Sequence, residues 1–206
     1  MTKTVKRGIK GNIKYIVGID EVGRGPLAGP VTVGAFCVKK NFDFKKLEGI
    51  RDSKKLTPEK REYFFEKIKE LEKKGDIEYK VTFVSSKEID KRGISRAIKK
   101  ALTKSILGLR KDPQMCEVFL DGGLYAPEEY KKQKTIIKGD DRIKAISCAS
   151  VVAKVLRDRR MCLLAKKYPE YGFEVHKGYG TKKHCESIRK NGICKEHRKC
   201  FLKNFF

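Results

Sequence analysis

The sequence predicts an α/β fold in which helices flank a mixed β-sheet. Two apolar, strand-like segments follow one another near the N-terminus, and later strand-like segments alternate with helical patterns. The chain of 206 residues has the length of one domain, and no internal stretch has the composition of a linker. We therefore expect a single domain over residues 1–206, with a basic N-terminal segment (1–13) and a basic C-terminal extension of loops and short helices (168–206).

The strands and helices follow from the spacing of apolar residues. Five segments have the pattern of β-strands, and they span residues 14–20, 31–38, 77–84, 116–121 and 135–137. Three longer segments have apolar residues at helical spacing, and they span residues 58–74, 95–109 and 143–167. For the first helix, Thr57 is the expected N-cap, Pro58 takes the first helical position and Gly75 ends the helix.

The charge of the chain indicates a polyanionic partner. Fifty Lys and Arg residues against 26 Asp and Glu residues give a formal net charge of +24, and residues 1–14 and 166–206 together carry half of that excess. Because cations that contact phosphates release condensed counterions, a nucleic acid is the expected partner. No apolar stretch approaches the ~20 residues of a membrane span, and the first residues lack the apolar segment of a secretion signal. We expect a soluble, cytoplasmic protein that binds no membrane and acts as a monomer.

The seven cysteines are expected to be reduced thiols, because their number is odd and the chain has neither a secretion signal nor a C-x-x-C motif. A competing interpretation uses the basic tail, where Cys185, Cys194, His197 and Cys200 offer four possible zinc ligands. The protein would then be a non-catalytic, basic nucleic-acid-binding protein with a zinc-stabilised C-terminal tail. The absence of a paired C-x-x-C knuckle argues against it.

Acidic residues follow three apolar segments of this otherwise basic chain. Asp20 and Glu21 lie where the first strand meets the glycine loop, Asp121 ends the segment CEVFLD, and Asp140 and Asp141 precede the long helix. Strand ends in α/β sheets converge on one edge, and grouped carboxylates repel one another unless a cation lies among them. All-oxygen ligands suit Mg²⁺ or Mn²⁺, and two such ions about 3.5–4 Å apart can activate water and stabilise a leaving oxygen. This pattern favours a metal-dependent nuclease, although each acid alone could be a turn residue or a helix N-cap.

Six blocks of the sequence resemble one known family. Residues 18–31 read GIDEVGRGPLAGPV and closely resemble the opening motif of ribonuclease HII of the bacterial type, in the type 2 ribonuclease H family. Five further blocks agree in the order of the family, and they are residues 52–56, 121–122, 139–158, 168–181 and 197–201. Departures are small, since Val22 replaces a usual alanine, Cys148 interrupts a small-residue run and Cys200 replaces a usual serine.

The resemblance implies a ribonuclease H-like fold and a specific reaction. The family cleaves the RNA strand of RNA–DNA hybrids and cuts 5′ of single ribonucleotides embedded in duplex DNA, which leaves 5′-phosphate and 3′-hydroxyl ends. Carried over by position, the catalytic and metal-binding acids are Asp20, Glu21, Asp121 and Asp140, with two Mn²⁺ or Mg²⁺ ions in the active complex. Either acid of the pair 140–141 could be aligned, and the spacing to Ser147 and Ser150 favours Asp140.

The same resemblance assigns substrate recognition. The loop of Gly23, Arg24 and Gly25 would sense the RNA–DNA junction together with Tyr179, whose ring would lie against the sugar on the 3′ side. Glycines let main-chain groups approach a 2′-hydroxyl, the group that distinguishes RNA from DNA. Five further residues are expected to hold phosphates: Ser150, Lys154 and Arg157 on one helical face, with Ser53 and Lys54.

Overall fold

A five-stranded mixed sheet lies at the centre of the structure, a computed structural model that describes residues 12–203. Its strands are β1 (Tyr15–Val22), β2 (Val31–Lys39), β3 (Ile77–Val84), β4 (Cys116–Asp121) and β5 (Gln133–Ile136). The strand order is β3-β2-β1-β4-β5. The pairs β1–β2 and β2–β3 are antiparallel, whereas β1–β4 and β4–β5 are parallel. The predicted mixed sheet is confirmed; residues 1–11 of the basic N-terminal segment and residues 204–206 lie outside the described residues.

Seven α-helices lie within residues 12–203. They are α1 (Pro58–Lys73), α2 (Ser86–Arg92), α3 (Ile94–Gly108), α4 (Gly139–Arg142), α5 (Lys144–Lys167), α6 (Phe173–His176) and α7 (Lys182–Asn191). The predicted start of α1 is confirmed, because the Thr57 side chain accepts a hydrogen bond from the Lys60 backbone N–H and Pro58 follows it. None of these described helices is long and apolar enough to cross a membrane.

Three elements differ from the prediction. Strand β1 continues beyond its predicted end at Asp20 to Val22, because Glu21 and Val22 pair with Val33 and Thr32 of β2. Helix α2 was missed, although Ser85 caps it and Glu88 follows three residues later, which is the signature of a capping box. The short helix α4 was also missed, since four residues give no readable periodicity.

Helix α5 lies almost directly on the backbone of the sheet. A Cβ atom built on Gly18 of β1 would lie 2.1 Å from the Ala145 carbonyl carbon, and one on Gly34 of β2 would lie 2.6 Å from the Ala149 carbonyl oxygen. Only glycine fits at either position. The opposite face of the sheet is covered by α3, whose predicted apolar stripe is buried.

The C-terminal extension folds back onto the loop between β1 and β2. Residues 194–202, which we call the C-terminal strap, form a β-bridge between His197 and Ala28. The strap is further fixed by hydrogen bonds from the Gly29 backbone N–H to the Glu196 carbonyl (2.8 Å) and from the Arg198 backbone N–H to the Leu27 carbonyl (2.7 Å). All seven cysteines are free.

Candidate active site

The register of two parallel strands places the first two acids side by side. Ile19 of β1 is paired with Leu120 of β4, and the next residue on each strand is Asp20 and Asp121 respectively. Adjacent strands are about 4.8 Å apart, so these two side chains leave the sheet next to each other on the same face. Asp20 is 4% exposed, and the Gly139 backbone N–H donates to Asp121 Oδ1 at 2.7 Å.

Helix α4 turns one acid of its pair inward and the other outward. Asp140 is 5% exposed, whereas the Asp141 side chain lies near the surface and forms an ion pair with Lys55. The Ser147 hydroxyl donates to the Asp140 carbonyl at 2.6 Å, which ties α4 to the first turn of α5. This geometry favours Asp140 as the member of the pair that faces the other acids.

The acids raise one another's pKa values. Burial raises the pKa of Asp20 well above its usual range, and the charges of Glu21, Asp121 and Asp140 add to that shift. Burial likewise raises the pKa of Glu21, which Arg24 partly offsets at a distance of 3.5 Å. The acids therefore form a region of buried, mutually repelling negative charge.

A fifth acid, which sequence reasoning did not assign to the site, joins this group. Burial raises the pKa of Asp140 to about 6, and the neighbouring Asp121 and Asp52 contribute to that shift. Asp52 is 8% exposed, and its Oδ1 accepts the Lys54 backbone N–H at 2.9 Å. The sequence feature that could have indicated this role is the block DSKKL, in which Asp52 is followed by Ser53 and two lysines.

Lys54 is an exposed cation close to Asp140. Its Nζ lies 4.0 Å from Asp140 Oδ2, and its side chain is 80% exposed. Desolvation opposes the shift, but Asp52, Asp140, Asp20 and Asp121 together raise the pKa of Lys54. The ammonium group thus stands at the mouth of the acid cluster, where it can meet a phosphate.

The donor chemistry of the cluster fits divalent cations. Asp20, Glu21, Asp121 and Asp140 offer only carboxylate oxygens, which are the ligands of Mg²⁺ and Mn²⁺. A cation would offset the repulsion that contributes to the raised pKa values of Asp20, Glu21 and Asp140. As the side chains stand, no three His, Cys, Asp or Glu side chains among residues 12–203 converge closely enough to hold a metal ion. Binding would therefore require the carboxylates to turn toward a common point.

The glycine loop presents only part of itself to solvent. Arg24 and Gly25 are exposed, whereas Gly23 is buried. Gly23 has a φ of +86°, and a Cβ atom there would lie 2.1 Å from Arg157 Nε, whereas a Cβ atom on Gly25 would meet nothing within 4 Å. Gly23 is thus required by the fold, and Gly25 leaves open space where a substrate can approach.

Tyr179 lies beside a basic cleft. The tyrosine is 42% exposed, and its ring centroid is 6.0 Å from the Arg157 guanidinium carbon. The cleft has a volume of about 810 Å³ and lies between α1, α5 and the segment that follows α6. Its cationic lining consists of Arg61, Lys154, Arg159, Lys166 and Lys177.

Three of the five residues that the sequence analysis expects to hold phosphates are buried in this structure. Arg157 is 0% exposed and donates to backbone carbonyls, and Ser53 and Ser150 are each 1% exposed and joined by a 2.9 Å hydrogen bond. Of the other two, Lys54 is free to meet a phosphate, and Lys154 forms a 2.8 Å ion pair with Asp158 at the edge of the cleft. Helical spacing alone could not distinguish the buried from the exposed positions.

His197, the histidine of the competing zinc interpretation, is engaged at both ring nitrogens by protein hydrogen bonds. His197 Nδ1 accepts the Cys194 backbone N–H at 2.9 Å, so its Nε2–H donates to His184 Nε2 at 3.2 Å. His184 Nδ1 then donates to the Tyr179 carbonyl at 2.9 Å. Each ring nitrogen of this pair is used by a protein hydrogen bond, and the described residues contain no cluster of potential zinc ligands.

Comparisons with known proteins agree on one family. A family model described as Ribonuclease HII matches residues 17–206. A ribonuclease HII of Caldicellulosiruptor bescii is 46% identical over 191 residues, which make up 93% of this chain and 88% of the relative.

Solved structures extend the similarity to the fold. A chain of the PCNA–RNase HII complex from Archaeoglobus fulgidus has a TM-score of 0.73 at 25% identity, and the match covers 89% of this chain and 93% of that chain. Ribonuclease H2 from Pyrococcus horikoshii has a TM-score of 0.69 at 26% identity, over 93% of this chain and 98% of that chain. These neighbours confirm the predicted ribonuclease H-like fold.

Proposed function

The chain belongs to the ribonuclease HII family, whose members cleave RNA in RNA–DNA hybrids, and we propose that it also cuts duplex DNA on the 5′ side of a single embedded ribonucleotide. The products of both reactions would carry 5′-phosphate and 3′-hydroxyl ends. Such an endonuclease would serve to remove ribonucleotides and RNA primers from DNA.

The observation that carries this proposal is the cluster of carboxylates at the ends of β1 and β4. Asp20, Glu21, Asp121 and Asp140 are held together by strand register and by α4, and the protein around them has a net charge of +24. The surrounding positive charge attracts a nucleic acid to the acids, which would otherwise repel it.

The cluster would hold two Mg²⁺ or Mn²⁺ ions. Bound there, they would supply an activated water and stabilise the charge on the leaving 3′ oxygen. The chain itself needs no Ser, Cys or His nucleophile. Asp20 and Asp121, which stand side by side at the sheet edge, would contribute to both ion sites, and Glu21 and Asp140 would complete the ligand set.

Recognition would rest on the loop and tyrosine that flank the acids. The main chain of the exposed residues Arg24 and Gly25 would bond the 2′-hydroxyl, and Tyr179 would lie against the sugar on the 3′ side of the cut. Lys54 would contact a phosphate near the acids, and the basic cleft beside Tyr179 would take the backbone further along the duplex.

The test is cleavage of a DNA duplex that carries one ribonucleotide, measured with Mg²⁺, with Mn²⁺ and with a chelator. A long RNA–DNA hybrid is the second substrate, and an all-DNA duplex is the control. We expect metal-dependent cutting on the 5′ side of the ribonucleotide, with a 3′-hydroxyl product, and none of the control. Digestion of the hybrid alone would remove junction recognition from the proposal, and cutting in the chelator would remove the metal ions.

A further inference from the structure

Two fully buried arginines hold the loop between β1 and β2. Arg198 donates from Nη2 to the Gly23 carbonyl (2.7 Å), from Nη1 to the Arg24 carbonyl (2.9 Å) and from Nε to the Gly29 carbonyl (3.0 Å). Its guanidinium group is 0% exposed and, among residues 12–203, has no carboxylate within ion-pair distance. Burying a cation without a counter-ion costs free energy, so this arrangement is expected only where the carbonyl geometry it fixes is needed.

Arg157 completes the attachment from the side of α5. It donates to the carbonyls of Pro30 (2.9 Å), Lys177 (3.1 Å) and Ala28 (3.4 Å). Because Lys177 precedes Tyr179 by two residues, the same guanidinium group joins the loop to the segment that carries the tyrosine. The two arginines thus connect both parts of the proposed recognition site.

The bonds to Arg198 fix the direction of two amide groups. In a trans peptide the carbonyl and the following N–H point in opposite directions. Since the Gly23 and Arg24 carbonyls point inward to Arg198, the N–H groups of Arg24 and Gly25 point outward. Neither N–H has a backbone partner in the described part of the chain, and both residues are exposed.

We propose that Arg198 is a positioning residue for ribose recognition, because it turns the Arg24 and Gly25 amides toward the place where a 2′-hydroxyl binds. This inference rests on the proposed function, and it adds that recognition depends on a residue 174 positions away from Arg24 in the sequence. The position of Arg198 depends on the C-terminal strap to which it belongs. Asp90 of α2 anchors this strap by accepting hydrogen bonds from the Lys199 and Cys200 backbone N–H groups (3.1 and 2.9 Å).

The experiment compares affinity for two duplexes of one sequence, one with a single ribonucleotide and one entirely of DNA, in the presence of a chelator. Arg198→Lys keeps the positive charge but cannot donate in three fixed directions. Arg160→Lys, at an exposed position, is the matched control. Cleavage of the single-ribonucleotide duplex and of a long RNA–DNA hybrid by the wild type is measured alongside, so that failure of the proposed function is seen separately.

We expect Arg198→Lys to reduce the preference for the ribonucleotide-containing duplex by roughly fivefold or more, which corresponds to the loss of about one aligned hydrogen bond, with all-DNA affinity within about twofold. Arg160→Lys should change neither affinity. If Arg198→Lys does not fold, the same affinity preference is measured for Asp90→Ala, which removes the side chain that anchors the strap. We expect this variant to lose the preference as well.

Three results would overturn the inference. The first is a folded Arg198→Lys that keeps the wild-type preference, and the second is an equal loss of affinity for both duplexes. The third is a wild type that cuts the ribonucleotide-containing duplex yet binds both duplexes equally in the chelator. A wild type that cuts neither substrate would instead overturn the proposed function.

Discussion

Burial of the acids in the site carries an electrostatic cost in the folded protein. At Asp20 burial and the neighbouring carboxylates act in the same direction, so the charged form is disfavoured in the fold. An acid whose pKa is raised by folding contributes a loss of stability that grows as pH rises from its unfolded pKa toward its folded one. The charged form of Asp20 that the proposed metal site requires therefore lowers the stability of the metal-free protein.

Replacement of Asp20 by Asn should stabilise the metal-free protein. The amide keeps the volume of the side chain and removes a buried charge that repels Glu21 and Asp121. We expect the Tm at pH 7 in a chelator to rise by a few degrees, given roughly 2–4 °C per kcal/mol for a chain of this size. Mg²⁺ should raise the Tm of the wild type but not of the variant. Glu128→Gln, an exposed acid, is the control, and a lower Tm for Asp20→Asn would contradict the account.

Replacement of Tyr179 by Ala should weaken junction selectivity more than general affinity. The ring is partly exposed beside the cleft, whereas the proposed phosphate contacts of the cleft would not depend on the sugar. The measurement is the ratio of cleavage rates on a single-ribonucleotide duplex and on a long hybrid, together with affinity for plain duplex. Tyr63→Ala, a similarly exposed tyrosine on α1, should leave the ratio unchanged. An unchanged ratio in the Tyr179 variant would exclude the tyrosine from recognition.

Two elements set the geometry of the site, and α5 is the more constrained. It approaches β1 and β2 so closely that glycine is required at positions 18 and 34, and this contact fixes Ser147 and Arg157 relative to the acids. The second element is the C-terminal strap, which holds the glycine loop through Arg198. The positions of the acids and of the glycine loop therefore depend on the packing of α5 and of the C-terminal strap.

Gly18→Ala should be strongly destabilising. The added methyl group would meet the Ala145 backbone at 2.1 Å, and a helix backbone cannot rotate away as a side chain can. Overpacking of this kind costs about 1–3 kcal/mol or more, so we expect the Tm to fall by several degrees at roughly 2–4 °C per kcal/mol. Gly123→Ala, where the new Cβ meets nothing within 4 Å, is the control. Equal Tm values for the two variants would show that α5 is not held as described.

The C-terminal extension should loosen in mild acid. Burial lowers the pKa of His184 to about 4 and that of His197 to about 4, so both are neutral in the fold. Below an unfolded pKa near 6.5 the unfolded chain takes up protons that the fold excludes, and stability is lost as pH falls from about 6.5 toward 4. At about 1.4 kcal/mol per pKa unit, the full loss is up to roughly 3 kcal/mol per histidine.

Hydrogen exchange can separate the destabilisation by the histidines from the effect of Asp20 and Glu21. The raised pKa values of these two acids make the fold more stable, not less, as pH falls. After correction for the intrinsic exchange rate, protection of the α7 and strap amides should fall between pH 6.5 and 4.5 relative to that of β1 and β4. Protection that falls equally in all four elements would contradict the assignment of neutral, buried histidines.

Over the whole molecule, sequence patterns predicted what is local or periodic. The strands and longer helices were found because burial imposes their spacing, and Thr57 and Pro58 marked the start of α1. The buried roles of Arg157 and Arg198 could not be read in this way. Both arginines act through carbonyls distant in sequence, and only the folded chain shows that their charges lie inside it. Asp52 was missed for the same reason, since its neighbour Asp140 is 88 positions away along the chain.

The charge distribution is also a property of the whole molecule. A chain with a net charge of +24 keeps its acids near the ends of β1 and β4, where the glycine loop follows β1. Arg157 connects that loop to the segment that carries Tyr179. The central claim of the account is that the acids perform the chemistry while the surrounding cations bind the duplex.

The most direct test of that claim compares the wild type with Asp121→Asn. Cleavage and binding of a duplex with one ribonucleotide are measured for both proteins. Asp121 is only partly buried and its Oδ1 bond to the Gly139 N–H can be kept by Asn, so the variant should fold. We expect turnover to fall by at least about a hundredfold, as for removal of a central catalytic group, with affinity within about threefold of the wild type. Turnover near the wild-type rate, or affinity lost in parallel with turnover, would contradict the account.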